Sequence, residues 1–347
     1  MTHRKRRSWT RTVIGSAALA GAALLALQGC APGASADPDP STGHDPAYAQ
    51  VMAQADRVYQ HYLLTSAAAA ADGDQALALS VVANAQWFQT KGQYKTRAST
   101  GTPVPQYRYG TPHYILPEPA GYPRWFMVTV PRSTAAGGRA GPVVTTVMLF
   151  EQTKATRPWT LDSAVPLDRP LPELAYASDG YAVAVPDGDT GPLLPPDVIG
   201  PSQAAVVDHG PGSPSAAVIS AGPLTTGLYA AQAALGRAQS ARGLVYQWLL
   251  LGASYPQFQL RLRSGADLVL YGMYLDTTIE HPNLRKGSPI PAPAEFSPLF
   301  AAPTEVAYHA VYGNWTYQFV AIDPPAGAHA KVAIIAANGS PSYGHAY

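Results

Sequence analysis

Cys30 is the only cysteine in 347 residues, and it stands at the end of the run Leu27-Gln28-Gly29-Cys30. A thiol there can accept a diacylglyceryl group as a thioether. The small Gly29 before it gives a signal peptidase room to cut. Two further pairings could do chemistry. Tyr274 and Asp276 alternate on one stretch of extended chain, so a phenol and a carboxylate share a face. If that face lines a cavity, the pair is placed for proton transfer or for holding a ligand. Tyr271, nearby, and Trp125, in the first half, complete the candidate pocket, with Tyr107, Tyr109, His113, Tyr114 and Phe126 near Trp125 and Tyr246, Trp248 and Tyr255 near Tyr271.

Other chemistries lack their residues. The nine histidines are scattered, with no HExxH and no cysteine pair, so no zinc set and no metal is expected. No GxSxG, SxxK, P-loop or post-strand GxGxxG occurs, and no cofactor is expected. Asp187-Gly188-Asp189-Thr190-Gly191 starts like a calcium loop but has Val198 where the bidentate glutamate belongs, and it reads as a solvated turn.

What precedes Cys30 gives the thiol its meaning. Arg4, Lys5, Arg6, Arg7 and Arg11 are followed by the apolar run from Val13 to Leu27. That run is about 15 residues, short of the ~20 a spanning helix needs. A basic start, a short apolar run and small residues make an export signal over 1–29. Leu27-Gln28-Gly29-Cys30 then resembles the bacterial lipobox, and Cys30 is the expected lipidation site. Arg6-Arg7-Ser8-Trp9 resembles a twin-arginine signal, so that route and the general secretory route both stay open.

Loss of 1–29 removes five basic and no acidic residues from the 23 basic and 22 acidic of the whole chain, leaving 18 against 22. An acidic remainder argues against nucleic acid as a partner. It also assigns membrane contact to acyl chains, two of which give a stable anchor where one gives only marginal binding. The expected location is the outer face of the cytoplasmic membrane. With Cys30 lipidated no disulfide can form, so the fold depends on its core. Only 13% of residues are charged, against about 25% in an average soluble chain, so much of the surface polarity must be uncharged.

The elements that must position these residues follow from periodicity. Residues 30–44 are rich in Pro, Gly, Ser, Ala and Asp and read as a disordered tether with roughly 20 Å of reach. Asp45-Pro46 opens a helix with Tyr48, Val51, Met52, Ala55, Val58, Tyr59, Tyr62 and Leu63 on its apolar side. A second helix is expected from Asp74 to Lys91-Gly92. Four strands follow, through "QYRYGTPHYILP", "RWFMVTV", "VVTTVMLFE" and "RPWTLDSAV".

These elements make a first α+β module over 45–170, followed by a Pro/Gly-rich inter-domain segment over 171–215. Helix first, then strands, recurs in a second module over 216–337. Its helix opens at Pro223 and closes at Gly243; Ser264-Gly265 and Gly313-Asn314 are expected as hairpin turns. Residues 338–347 read as a flexible tail. The fold class is therefore α+β, two tandem modules with helices on a curved antiparallel sheet, like the NTF2-like or cystatin-like cone.

"ANAQW" (83–87), "YPRWFMV" (122–128), "PWTLDS" (158–163) and "SGADLVLYGMYLDTT" (264–278) resemble segments of an actinobacterial exported lipoprotein family that is a domain of unknown function. The resemblance covers about 47–336. It implies an exported lipoprotein with two modules and brings no catalytic residue. The expected function is a membrane-anchored scaffold that binds an envelope protein or a small hydrophobic ligand. The competing expectation is an NTF2-like enzyme using Tyr274 and Asp276 for acid–base work on a small hydrophobic molecule.

Overall fold

A computed structural model describes residues 46–135, 141–186, 188–302 and 305–347. Cys30, the export signal and the expected tether lie outside these residues.

The first helix, α1 (Pro46–Asp72), has proline at its first position, where the missing N–H costs nothing. Ala55 and Tyr59 are buried, and Val51, Met52, Val58 and Tyr62 pack beside them. The expected second helix divides. In α2 (Gln75–Leu79) Asp74 caps by accepting from the Leu77 N–H at 2.9 Å. Extended backbone then intervenes, because Val82 forms a parallel bridge with Leu161. The chain re-enters a helix as α3 (Asn84–Thr100), which runs through Gly92 and ends at Gly101, φ 73°. Gly92 does not stop the helix. It lets the strand that holds Pro341 approach so closely that a Cβ would stand 2.5 Å from the Pro341 carbonyl oxygen.

The first sheet holds β1 (Tyr107–Tyr109), β2 (His113–Ile115), β3 (Arg124–Thr134), β4 (Val144–Gln152) and β5 (Thr160–Pro166). Both β1 and β2 pair with one edge of β3, and β4 and β5 follow on the other side, all antiparallel. The second sheet holds β6 (Val245–Gly252), β7 (Phe258–Arg261), β8 (Asp267–Glu280), β9 (Ala310–Asp323) and β10 (Ala333–Ala346). Here β6 and β7 share one edge of β8, and β9 and β10 follow. The two sheets thus have one connectivity, and each is preceded by helices: α1 to α3, then α4 (Pro196–His209) and α5 (Thr226–Ser240).

Alternation decides which sheet face meets what. Phe126, Val128, Val130, Met148 and Phe150 lie under α1. Their neighbours Met127, Val147 and Leu149 face the second sheet, where they meet Phe258, Leu260, Leu268, Leu270 and Val320. The other face of the second sheet, with Val269, Tyr271, Met273, Leu275 and Phe319, is covered by Ile199, Val206 and Val207 of α4. The order is helix, sheet, sheet, helix. Each fully buried Leu, Val, Phe or Met side chain contributes roughly 1.5–3 kcal/mol. Among the described residues, no helix is long and apolar enough to cross a membrane.

Three local expectations change. Gly313-Asn314 is not a turn: β9 runs straight through it, with Gly313 opposite Thr277 on one side and Gly344 on the other. The glycine is there because the Phe296 ring occupies the place of its missing Cβ. Residues 338–347 are not a free tail, since β10 continues to Ala346 and pairs with β9 as far as Val311. The segment 171–215 contains α4, and it is stitched to the second sheet by bridges from Leu174 to Leu262 and from Ala184 to Leu260. The turn at Ser264-Gly265 forms as expected, with Gly265 at φ 85°.

An amide network joins α3 to the second sheet. Gln89 donates through Nε2 to the carbonyls of Thr316 and Asn338, each at 2.9 Å. Asn338 donates to Gln89 Oε1 at 3.1 Å and to the Ala164 carbonyl at 2.9 Å. Gln318 donates to Gln86 Oε1 at 3.1 Å and accepts from the Ala164 N–H at 2.9 Å. These side chains satisfy one another, with Gln89 and Gln318 buried and Asn338 half-buried, which fixes α3 against β9 and β10.

Candidate functional site

The alternation of β8 separates the expected pocket residues. Tyr271 points under α4, is 6% exposed, and its hydroxyl donates to Gln203 Oε1 at 2.6 Å. Burial pushes its phenol well above the ordinary range. Tyr274 and Asp276 share the opposite face, as their spacing requires. The Tyr274 hydroxyl meets that of Tyr255, and its ring stands edge-on to Phe88 at 5.6 Å. Asp276 accepts from Asn314 Nδ2 at 2.5 Å and is hydrogen-bonded to Tyr312. Trp125 lies elsewhere, with its ring 5.2 Å from Phe258.

The four residues therefore occupy three places. Tyr274 and Asp276 line neither of the two main clefts. Burial, and after it the Asp276 carboxylate, pushes the Tyr274 phenol up to about 12, away from the neutral range that acid–base catalysis favours. The surrounding tyrosines do structural work. Tyr59 meets Tyr109 and Tyr114 edge-on at 6.4 and 6.1 Å, and Tyr114 donates to Asp56 at 2.7 Å. Tyr246 stacks on Trp248 and donates to Gln232 at 2.5 Å.

The larger cleft has a volume of ≈ 1030 Å³. It lies between the start of α4 with the prolines before it, the loop 252–257 after β6, and 271–273 of β8. Pro192, Leu193, Pro195, Pro196, Tyr255 and Met273 supply apolar walls. Such a mix of apolar wall and few polar groups is the usual composition of a ligand site. Two of the polar side chains in it are engaged within the protein, while Asp197, also lining it, is exposed. Tyr271 is held by Gln203. Asp189 accepts from the Gly191 N–H at 3.0 Å and pairs with Arg261. Those contacts, the Gly191 N–H first, hold its carboxyl below the usual range. So Asp189, inside the stretch that starts like a calcium loop, is tied down by the chain itself; Asp187 lies outside the described residues.

The fold brings together two groups of buried acids that no sequence motif marks. Arg261 also reaches Asp267 at 2.8 Å, and Asp267 stands opposite Asp323, whose Oδ2 accepts from the Leu194 N–H at 3.2 Å. Burial pushes both carboxyls up to about 6. In the first sheet, Asn84 donates through one amide nitrogen to both Glu151 and Asp162. Burial raises Glu151 and pushes Asp162 up to about 8. Asn84 has a φ of 47° at the start of α3. Neither cluster could be read from spacing, because the partners are 67 and 78 residues apart in one and 56 apart in the other. Among the described residues, no group of three His, Cys, Asp or Glu side chains is placed to hold a metal ion.

The fold defines an α+β protein of two five-stranded antiparallel sheets with helices outside them. Within that class, residues 46–339 match the family described as Domain of unknown function (DUF8094), and the chain belongs to it. Neither a curated protein nor a solved structure matches the chain.

Proposed function

We propose that this is an exported lipoprotein, held at the outer face of the cytoplasmic membrane by acyl chains on Cys30, whose body is a binding scaffold. The anchor rests on the basic start, the short apolar run and Leu27-Gln28-Gly29-Cys30. The actinobacterial source rests on the resemblance of its motifs alone. The shared connectivity of the two sheets supports reading the body as tandem modules of the NTF2-like or cystatin-like kind.

The observation that carries binding over catalysis is the state of the larger cleft. Apolar side chains supply much of its wall, Tyr271 and Asp189 are bonded within the protein, and its other acid, Asp197, is exposed to solvent at the start of α4. No histidine, lysine or cysteine stands among its described lining residues. The occupant is a small hydrophobic ligand or an apolar segment of an envelope protein. The acid–base reading needs Tyr274 and Asp276 in a cavity, and both lie outside the two main clefts.

Cell fractionation tests the anchor. Cys30→Ala should leave unlipidated precursor or released protein, and a variant that still partitions with membranes and detergent would sink it. For the cleft, a photo-crosslinking residue at Ser254 should give an adduct absent from the exposed control position Arg169. Identical adduct patterns at the two positions would refute the binding role.

A further inference from the structure

The larger cleft opens on a break in the second sheet. Along one edge of β8, pairing with β6 stops at Gly252 opposite Met273, and pairing with β7 starts at Phe258 opposite Leu270. Between these points residues 253–257 leave the sheet as a loop, and Tyr271 and Gly272 have no cross-strand partner on that edge. On the other edge both are paired, with Phe319 and Gln318 of β9.

The ladder decides which of the two faces the break. In an antiparallel strand the N–H and C=O of one residue point to the same edge, and that edge alternates along the chain. The Leu250 N–H turns away from β8 to Asp208 Oδ1 at 2.9 Å. Its opposite residue, Leu275, therefore bonds towards β9, and so, counting back by two, do Met273 and Tyr271. Gly272 turns both its groups to the open edge. The β7 side gives the same parity. The Gln259 carbonyl and the Arg261 N–H turn outward, to Val185 and Val183, so Phe258 and Leu260 bond inward to Leu270 and Leu268. Among the described residues, no backbone hydrogen bond joins Gly272 to the loop 253–257.

Gly272 lines the cleft and is half-buried. Having no side chain, it does so with main chain. A Cβ there would stand 2.6 Å from the Tyr255 ring, so the position stays bare. Leu193, Pro195 and Pro196 supply apolar wall beside it. A donor and an acceptor on one residue of a strand edge are the complement of one residue of another extended chain. An apolar ligand without an amide would use neither group fully. The break is two residues long, so one ligand residue pairs there and its neighbours lie against the walls.

We propose that the larger cleft binds a short apolar peptide segment, one residue of which exchanges both main-chain hydrogen bonds with Gly272. This rests on the reading of that cleft as a binding site and chooses the peptide over the small hydrophobic ligand.

The probe is acetyl-leucyl-alanyl-leucine N-methylamide. Its fully N-methylated counterpart keeps the side chains and loses every N–H. Cyclohexanol is the apolar control without an amide. In titrations of the full chain in mild detergent the peptide should saturate, and the N-methylated form should bind about ten-fold more weakly, the order of one net hydrogen bond. Bound peptide should slow hydrogen exchange of the Gly272 amide by about ten-fold or more, as a newly paired amide does. It should leave unchanged the Gly110 amide, already bonded to the Pro131 carbonyl at 2.7 Å. Ser254→Trp, at an exposed position lining the cleft, should weaken the peptide. No saturable peptide binding, equal affinity of the N-methylated form, Gly272 exchange unaffected by bound peptide, or unchanged affinity in Ser254→Trp would each overturn the proposal. Cyclohexanol binding that Ser254→Trp weakens, without peptide binding, would remove the peptide and keep the cleft as a binding site. Failure of both probes would remove both.

Discussion

Asp267 and Asp323 stand directly opposite each other across β8 and β9, each 1% exposed, with Arg261 against Asp267 and the Leu194 N–H on Asp323. Two like charges at a cross-strand pair destabilise a sheet. The pair is tolerated because burial favours the protonated form of both and one guanidinium offsets what charge remains.

This arrangement predicts how stability depends on pH. Asp267 and Asp323 are pushed up to about 6 and Asp162 to about 8, all by burial first. A carboxyl near 4 when unfolded and near 6 or 8 when folded holds its proton more tightly in the native state. Stability from these groups is full below about pH 4 and is lost as pH rises through 6 and then 8. The urea midpoint should therefore be higher at pH 5 than at pH 8.5. A midpoint that is flat or rises across that range would contradict the assignment. Asp162→Asn keeps the shape without the charge and should flatten the upper part of the curve.

Arg261→Met should be strongly destabilising. It leaves Asp267 buried without a cation, a change that costs about 3–5 kcal/mol for a buried pair, and Arg261 is partly exposed, which favours the lower end. Adding Asp267→Asn should recover much of the loss. Denaturant titration of the two single variants and the double variant gives the coupling, and strictly additive losses would show that the pair does not interact.

Gln89→Ala should cost about 1–3 kcal/mol, because the Asn338 amide loses its Gln89 acceptor and the carbonyls of Thr316 and Asn338 lose a donor. The readout beyond global unfolding is amide hydrogen exchange. Exchange should rise in α3 and at Ala164 and stay unchanged in α4. Uniform faster exchange throughout would mean the network does not fix α3 locally.

Gly92→Ala tests the close approach of α3 and β10. In an isolated helix alanine is favoured over glycine by about 1 kcal/mol. Here the added methyl meets the Pro341 carbonyl oxygen at 2.5 Å, which the backbone must move to relieve. The thermal midpoint should fall. A rise would mean helix propensity outweighs the contact.

Local order determined much of this molecule. Proline at the start of α1, the apolar repeat of Ala55 and Tyr59, and the alternation that sets Tyr274 and Asp276 on one face are short-range consequences of 3.6- and 2-residue periods. So is the turn at Gly265. Where a glycine's role is set by a distant neighbour, the same reasoning points the wrong way. By local spacing Gly92 reads as a helix end and Gly313 as a hairpin, but the first admits β10 and the second admits the Phe296 ring. Only the tertiary structure decided which face of β8 is covered, and so put Tyr271 under α4 and left Asp276 with Asn314. It alone brought Asn84 to Asp162 and Arg261 to Asp267. Those meetings depend on how the two sheets and their helices stack. Sequence spacing carries no trace of them, because burial and pairing act through space between residues far apart in the chain.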